Sequence, residues 1–313
     1  MAAYYDTVVA VDWLGMGCSD RKGATQLTKI SSTSNEQLVR DQAEKTTQEL
    51  LAGLEEVRQQ ECVDSFVLAG HSLGGYLTAK YALQHSNHLQ GVVLLSPAGV
   101  PEPPDHEKRA TDDELDWKIR LLMSLWNMNL TPQMLVRLFG NSGRRYVDNY
   151  FKRRLMTSDS QWTNEEMQLL SEYLFHITAG ADNGEYALNA LLQPIFVSGQ
   201  QNVRGKSRNS DRIVEGESAP LLRSGVYARN AVEQAIDSQW NKDVPLLLLF
   251  GDSDWLYFPT APHVIRRWKD KGIDAELVIV KDADHHLHLQ NADDVNRIII
   301  DWSKRHFDLK LNA

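Results

Sequence analysis

The segment Gly70-His71-Ser72-Leu73-Gly74 constrains this chain more than any other. It stands between a short apolar run, Ser65 to Ala69, and a stretch with helical spacing that begins at Leu73. A Gly-x-Ser-x-Gly run at a strand-to-helix turn forces the backbone through a tight reversal and lifts the serine hydroxyl clear of the sheet. Side chains at Gly70 and Gly74 would clash with neighbouring backbone in such a turn. The helix after it points its positive end at Ser72, and the Leu73 N–H becomes a natural donor to an oxyanion. His71 completes the elbow.

Alternation of strand and helix extends the pattern. Tyr5 to Val11 predicts a strand that runs into a Gly-rich turn at Trp13 to Gly17. Ser34 to Gln60 predicts a helix capped by Asn35, with Leu38, Leu50, Leu51, Leu54 and Val57 as its buried stripe. Gly91 to Ser96 is another apolar run, closed by Pro97. Val244 to Phe250, a helix near Ala261 to Lys269, a strand at Ala275 to Val280 and a terminal helix near Ala292 to His306 resume the alternation. Short, fully apolar strands between helices predict a mostly parallel sheet with helices on both faces. From Pro101 to about Arg229 no strand alternation is seen, only helical stretches and a polar, Gly-rich loop over Gly199 to Ser218. The expected organisation is a core over 1–100 and 231–313, split by a helical cap or lid insertion over 101–230.

A serine hydroxyl needs a base to take its proton and an acid to orient that base. The elbow resembles that of the α/β-hydrolase fold, which orders these groups Ser, acid, His along the chain. The Leu246 to Phe250 strand ends in Gly251-Asp252-Ser253-Asp254, and Asp254 is favoured over Asp252 because the fold usually places its acid three residues after the glycine. The next strand is followed by Asp282-Ala283-Asp284-His285-His286-Leu287-His288, where His285 is the preferred base and His286 the alternative. Three histidines also admit a metal reading, but no further ligand cluster accompanies them and serine chemistry needs none, so no metal or cofactor is expected.

Charge and cysteines bound the partners. The net charge is −9, from 33 basic and 42 acidic residues. That excess disfavours nucleic acid, which demands a basic face. No apolar run reaches the roughly 20 residues that span a bilayer, and the first residues lack a signal-peptide pattern. Cys18 and Cys62 make no disulfide framework; a reducing compartment and two packed small side chains are expected. Trp117, Leu121, Leu125 and Met128 follow helical spacing, with Leu122 and Trp126 alongside. A helix packed on the core explains that stripe first, and a lid that meets a membrane explains it second.

Further runs carry a closer resemblance. Val11-Asp12-Trp13-Leu14-Gly15-Met16-Gly17-Cys18-Ser19-Asp20-Arg21, Leu95-Ser96-Pro97-Ala98-Gly99-Val100, Tyr227-Ala228-Arg229-Asn230 and the Asp254-Trp255 pair resemble the group of the fungal cardiolipin-specific deacylases, the animal lipid-droplet lipase coactivator and their lysophospholipase relatives. That resemblance implies a serine hydrolase cleaving an acyl ester of a phospholipid, lysophospholipid or acylglycerol. It places the nucleophile on Ser72, the acid on Asp254 and the base on His285. It also implies an intracellular setting, cytoplasmic or peripheral on mitochondria or lipid droplets. Acyltransferases of the group carry a His-x4-Asp pattern, and here Gln290 stands where that Asp would, which speaks for hydrolysis over transfer. The fold ordinarily has a strand before Tyr5 to Val11 that ends in His-Gly and supplies a second oxyanion N–H. The chain starts beyond it, so a truncated start and a weakly active protein are expected. A scaffold without activity, or a peptidase on the same fold, are the alternatives from other classes.

Overall fold

The computed structural model describes residues 4–20, 35–155, 162–180, 184–198 and 224–307. In chain order the elements are α1 (Glu36–Gln60), β1 (Phe66–His71), α2 (Leu73–Gln84), β2 (Leu89–Leu95), α3 (Trp117–Asn127), α4 (Pro132–Phe139), α5 (Asn141–Leu155), α6 (Asn164–Ala179) and α7 (Glu185–Leu191). They continue with β3 (Leu192–Ile195), β4 (Gly225–Ala228), α8 (Glu233–Gln239), β5 (Leu246–Gly251), α9 (Ala261–Asp270), β6 (Ala275–Val280), α10 (Leu287–Gln290) and α11 (Ala292–His306). Two compact units result: Met1–Ala10, Glu55–Glu114 and Leu192–Ala313 form one, Val11–Leu54 and Leu115–Leu191 the other.

The first unit holds the sheet. Its strand order is β1-β2-β5-β6, and every neighbouring pair is parallel. Parallel neighbours need a crossover, and α2 and α9 supply two of them. β2 and β5 lie in the middle, which is why Val92, Val93 and Leu94 and all of Leu246 to Phe250 are buried and why these strands read as continuous apolar runs rather than alternating ones. One core cluster joins Val93, Leu95, Leu247 and Leu249 to Leu287, Val295, Ile299 and Trp302 from the C-terminal helices. Because the strands are parallel, their C-terminal ends share one edge of the sheet. Chain leaving that edge carries Ser72, Ser96 and Asp254, and the loop to His285.

Several expectations are corrected here. Tyr5 to Val11 is not a strand. Tyr5 docks on α11, its hydroxyl 2.5 Å from Ser303 Oγ, while Val8 and Val9 stay exposed. β-propensity makes no strand without a neighbour to pair with, and no described strand lies alongside. Residues 101–229 are not wholly without strands, since β3 and β4 pair antiparallel from Leu192↔Ala228 to Ile195↔Gly225. Four residues are too few to show a period, and Pro194 is tolerated because both strands of a two-stranded ribbon are edge strands. The loop expected over Gly199 to Ser218 lies outside the described residues. Cys18 and Cys62 are exposed rather than packed.

In the second unit α1 begins as expected. The Asn35 side chain accepts from the Gln37 and Leu38 N–H groups at 3.0 and 3.3 Å. The buried stripe runs Val39, Ala43, Leu50, Leu51 and Leu54, with Leu38 exposed instead of inside. The i, i+4 and i, i+7 spacing starts from Val39, one position later than the sequence suggests. α4, α5 and α6 pack on one another. Glu185, buried, takes the Arg137 guanidinium at 2.5 and 2.9 Å, a bidentate pair that ties α4 to α7. α3 buries none of its residues. Trp117 is 61% exposed and Met128 65%, and Leu121 and Leu122 are exposed with them. Among the described residues the packed reading of this helix does not hold, and only Leu125 and Trp126 of its stripe are partly covered.

Candidate active site

The elbow is strained where the sequence places the serine. Ser72 has φ 56° and ψ −119°, a left-handed conformation that non-glycine residues adopt at a cost of about 1–3 kcal/mol. Its neighbours hold it there. The Ser72 N–H donates to the Leu95 carbonyl at 3.0 Å, and its carbonyl accepts from the Tyr76 and Ala98 N–H groups at 3.2 and 3.0 Å. A Cβ on Gly70 would collide with the Gly74 carbonyl and Thr78 Oγ1, and one on Gly75 would meet Pro97 Cβ at 2.9 Å. The first bond within α2 is Tyr76 N–H to Ser72 C=O, so the N–H groups of Leu73, Gly74 and Gly75 have no acceptor inside the helix. Leu73 N–H is the one beside the serine.

His285 reaches the serine from the other side of the sheet's edge. Its Nε2 lies 3.0 Å from Ser72 Oγ. Its Nδ1 lies 3.4 Å from Asp254 Oδ1 and is buried without a hydrogen-bond partner. Asp254 is only 3% exposed. Its Oδ1 accepts from the Leu256 N–H at 2.9 Å, and its Oδ2 accepts the Ser96 hydroxyl. Both oxygens of this buried side chain therefore have a donor. The loops that carry Asp254 and His285 are stitched together. Asp252 N–H donates to Val280 C=O at 2.9 Å and Ser253 N–H to Ala283 C=O at 3.0 Å. A side chain on Gly251 would strike the Ala283 and Asp284 carbonyls.

The alternatives sit elsewhere. Asp252 accepts from the Asp282 N–H at 3.2 Å and the Ser253 hydroxyl at 3.3 Å, and so braces the loop after β6. The His286 ring centroid lies 5.3 Å from that of His285, and its N–H donates to Asp284 Oδ1 at 3.1 Å. The Gln290 side chain accepts from the Asp284 N–H at 2.7 Å, which sets the turn just before His285. Among the described residues no group of three or more His, Cys, Asp and Glu side chains is arranged to hold a metal ion.

Two residues here were not assigned roles from sequence. His71 Nε2 lies 2.7 Å from the His285 carbonyl. A carbonyl only accepts, so His71 donates and carries its proton on Nε2. Burial first, and then the rings of His288 and His285, push His71 down to about 2; it is neutral at any working pH and cross-braces elbow and base loop. Burial, then His286 and His285, likewise push His288 down to about 4. Ser96 is the second, and its hydroxyl on Asp254 had no sequence signal beyond its place at a strand end.

A family model for the alpha/beta hydrolase fold matches residues 6–292. The chain is 28% identical over 287 residues to a probable 1-acylglycerol-3-phosphate O-acyltransferase of Oryza sativa subsp. japonica, covering 91% of this chain and 57% of the relative. It is 24% identical over 255 residues to a (lyso)-N-acylphosphatidylethanolamine lipase of Homo sapiens, covering 80% of this chain and 62% of that one. The chain thus spans less than two thirds of the length of these curated relatives. A bromoperoxidase structure from Bacillus anthracis aligns with a TM-score of 0.48 at 16% identity, over 82% of this chain and 74% of that chain.

Proposed function

Because the chain belongs to the alpha/beta hydrolase fold family, we propose that it is a serine hydrolase that opens an acyl ester of a lipid through an acyl-enzyme. The observation that carries this reading is the 3.0 Å approach of His285 Nε2 to the hydroxyl of a strained serine. Ser72 Oγ attacks the ester carbonyl as His285 takes its proton, and Leu73 N–H donates to the oxyanion. His285 then gives that proton to the departing alkoxide. Water, deprotonated in turn by His285, releases the fatty acid and restores Ser72. Asp254 holds the ring and balances the imidazolium. Hydrolysis is favoured over transfer because position 290 is a glutamine whose oxygen is engaged by the Asp284 N–H. Lipid is the substrate class because relatives are named for acylglycerol phosphate and N-acyl phospholipid chemistry.

The test is fluorophosphonate labelling of the chain beside Ser72→Ala. Labelling of the parent and none of the variant is expected, with ester turnover lower by about 10⁴-fold or more. Labelling that persists without Ser72, or a folded parent that takes no label, overturns the reading.

The exposed face of α3 supports contact with a lipid surface. Trp117, Leu121, Leu122 and Met128 are exposed, and the only charges on α3 itself are the exposed Lys118 and Arg120. Asp116 caps the helix, accepting from Lys118 N–H at 2.8 Å. Trp and Leu rather than charge would carry the contact, because the exposed Asp112, Asp113, Glu114 and Asp116 just before α3 offset Lys118 and Arg120. Trp117→Ala with Leu121→Ala is expected to weaken binding to vesicles containing phosphatidylserine by about tenfold or more, with soluble-ester turnover changed less than about twofold. Equal losses in both assays would mean that the helix serves the fold instead.

A further inference from the structure

Ser96 is an outlier among the residues at the sheet's C-terminal edge. It is fully buried and has φ 43°, which an L-residue adopts only when its surroundings demand it. Its N–H donates to the Leu249 carbonyl at 2.7 Å, which fixes the turn leaving β2. Strand β2 lies between β1, which delivers Ser72, and β5, which delivers Asp254. The hydroxyl that this turn presents meets Asp254 Oδ2. A carboxylate only accepts, so Ser96 donates.

We propose that Ser96 is a positioning residue for the hydrolase: its hydroxyl holds the Asp254 carboxylate and tempers the pull of that carboxylate on the proton of His285. The proposal rests on the serine-hydrolase reading above. Asp254 accepts from Ser96 on one oxygen and from the Leu256 N–H on the other, and His285 Nδ1 faces that second oxygen at 3.4 Å. With the Ser96 donor gone, more negative charge remains to face His285, and the imidazolium is favoured. A higher pH is then needed to free the base. The other groups around the His285 ring are His71 from β1, His286 and His288 from its own segment, and the Trp255 indole. Asp252 and Asp284 bond backbone N–H groups of the same loop. None of these is altered by a change at Ser96, so a shift reports on its hydroxyl.

Glycine separates the hydroxyl from the backbone. Ser96→Gly accepts a positive φ at no steric cost and loses only the side chain, whereas Ser96→Ala loses the hydroxyl and keeps the strain. Both are expected to lower kcat on a soluble ester by about tenfold with KM little changed. The rising limb of the pH–rate profile should move up by about half a pH unit or more, with Ser96→Gly melting no lower than Ser96→Ala because glycine accepts the positive φ. The proton resonance of His285 Nδ1–H, assigned by its loss in His285→Gln, should also move in Ser96→Gly, and that measurement needs no turnover. Parental kcat and profile in Ser96→Gly, or a fallen kcat with an unmoved profile and resonance, would overturn the proposal. A parent that neither takes a fluorophosphonate label nor hydrolyses the ester would instead sink the hydrolase reading, and the Nδ1–H resonance would still decide whether Ser96 acts on the pair.

Discussion

Asp254→Asn is expected to lower kcat by about 10³- to 10⁴-fold while leaving the protein folded. The asparagine oxygen can keep the Leu256 N–H bond that Asp254 Oδ1 now makes at 2.9 Å. Its amide can donate to Ser96, whose hydroxyl turns to accept. Shape and packing therefore survive, and the charge is lost. Without the charge, the imidazolium formed when His285 takes the Ser72 proton has no counter-ion in a site where Asp254 is 3% exposed. Water cannot replace it there. Asp252→Asn is the matched control. Asp252 accepts from the Asp282 N–H and the Ser253 hydroxyl, and an amide oxygen can accept in its place. Its effect should stay within about tenfold. Steady-state rates on one soluble ester, with melting curves for both variants, check the pair of expectations. The reverse order of effects would move the acid to Asp252.

Most of this site was legible because its chemistry depends on local pattern. The elbow is a strand, a tight turn and a helix within a dozen residues, and Gly70 and Gly75 are glycines because of backbone and proline atoms close by. The apolar runs of β2 and β5 are continuous because both faces are covered, and their short length told them from helices. What escaped notice depends on neighbours distant in sequence. Ser96 and Asp254 are 158 positions apart, and nothing in Leu95-Ser96-Pro97 marks a hydroxyl aimed at a carboxylate. His71 reaches a carbonyl 214 positions away. Tyr5 to Val11 failed for the opposite reason. Its composition suits a strand, but a ladder needs a partner, and composition does not report one. The stripe of α3 failed likewise, since helical spacing of Trp and Leu describes a face and not what covers it.

Gly70→Ala should be the most damaging substitution of a single hydrogen by a methyl group. Its Cβ would fall against Thr78 Oγ1 and the Gly74 carbonyl. The hydroxyl belongs to a buried side chain on α2, and the carbonyl is backbone in the first turn of that helix, so neither can withdraw without moving the elbow. The expected cost is about 3–5 kcal/mol, or roughly 5–10 °C in Tm for a domain of this size. Fluorophosphonate labelling should be lost even in the fraction that folds, because Ser72 cannot hold φ 56° once the turn opens. Thr78→Ala added to Gly70→Ala removes the hydroxyl collision and leaves the carbonyl one, so recovery should be partial. Gly53→Ala supplies the contrast. It lies inside α1, its added Cβ would touch nothing within 4 Å, and alanine there should stabilise by about 0.5–1 kcal/mol through a less flexible unfolded chain. Melting curves for the four proteins decide the matter. Full recovery in the double variant would assign the strain to Thr78 alone, and an unchanged Tm in Gly70→Ala would mean that the elbow tolerates a side chain the geometry forbids.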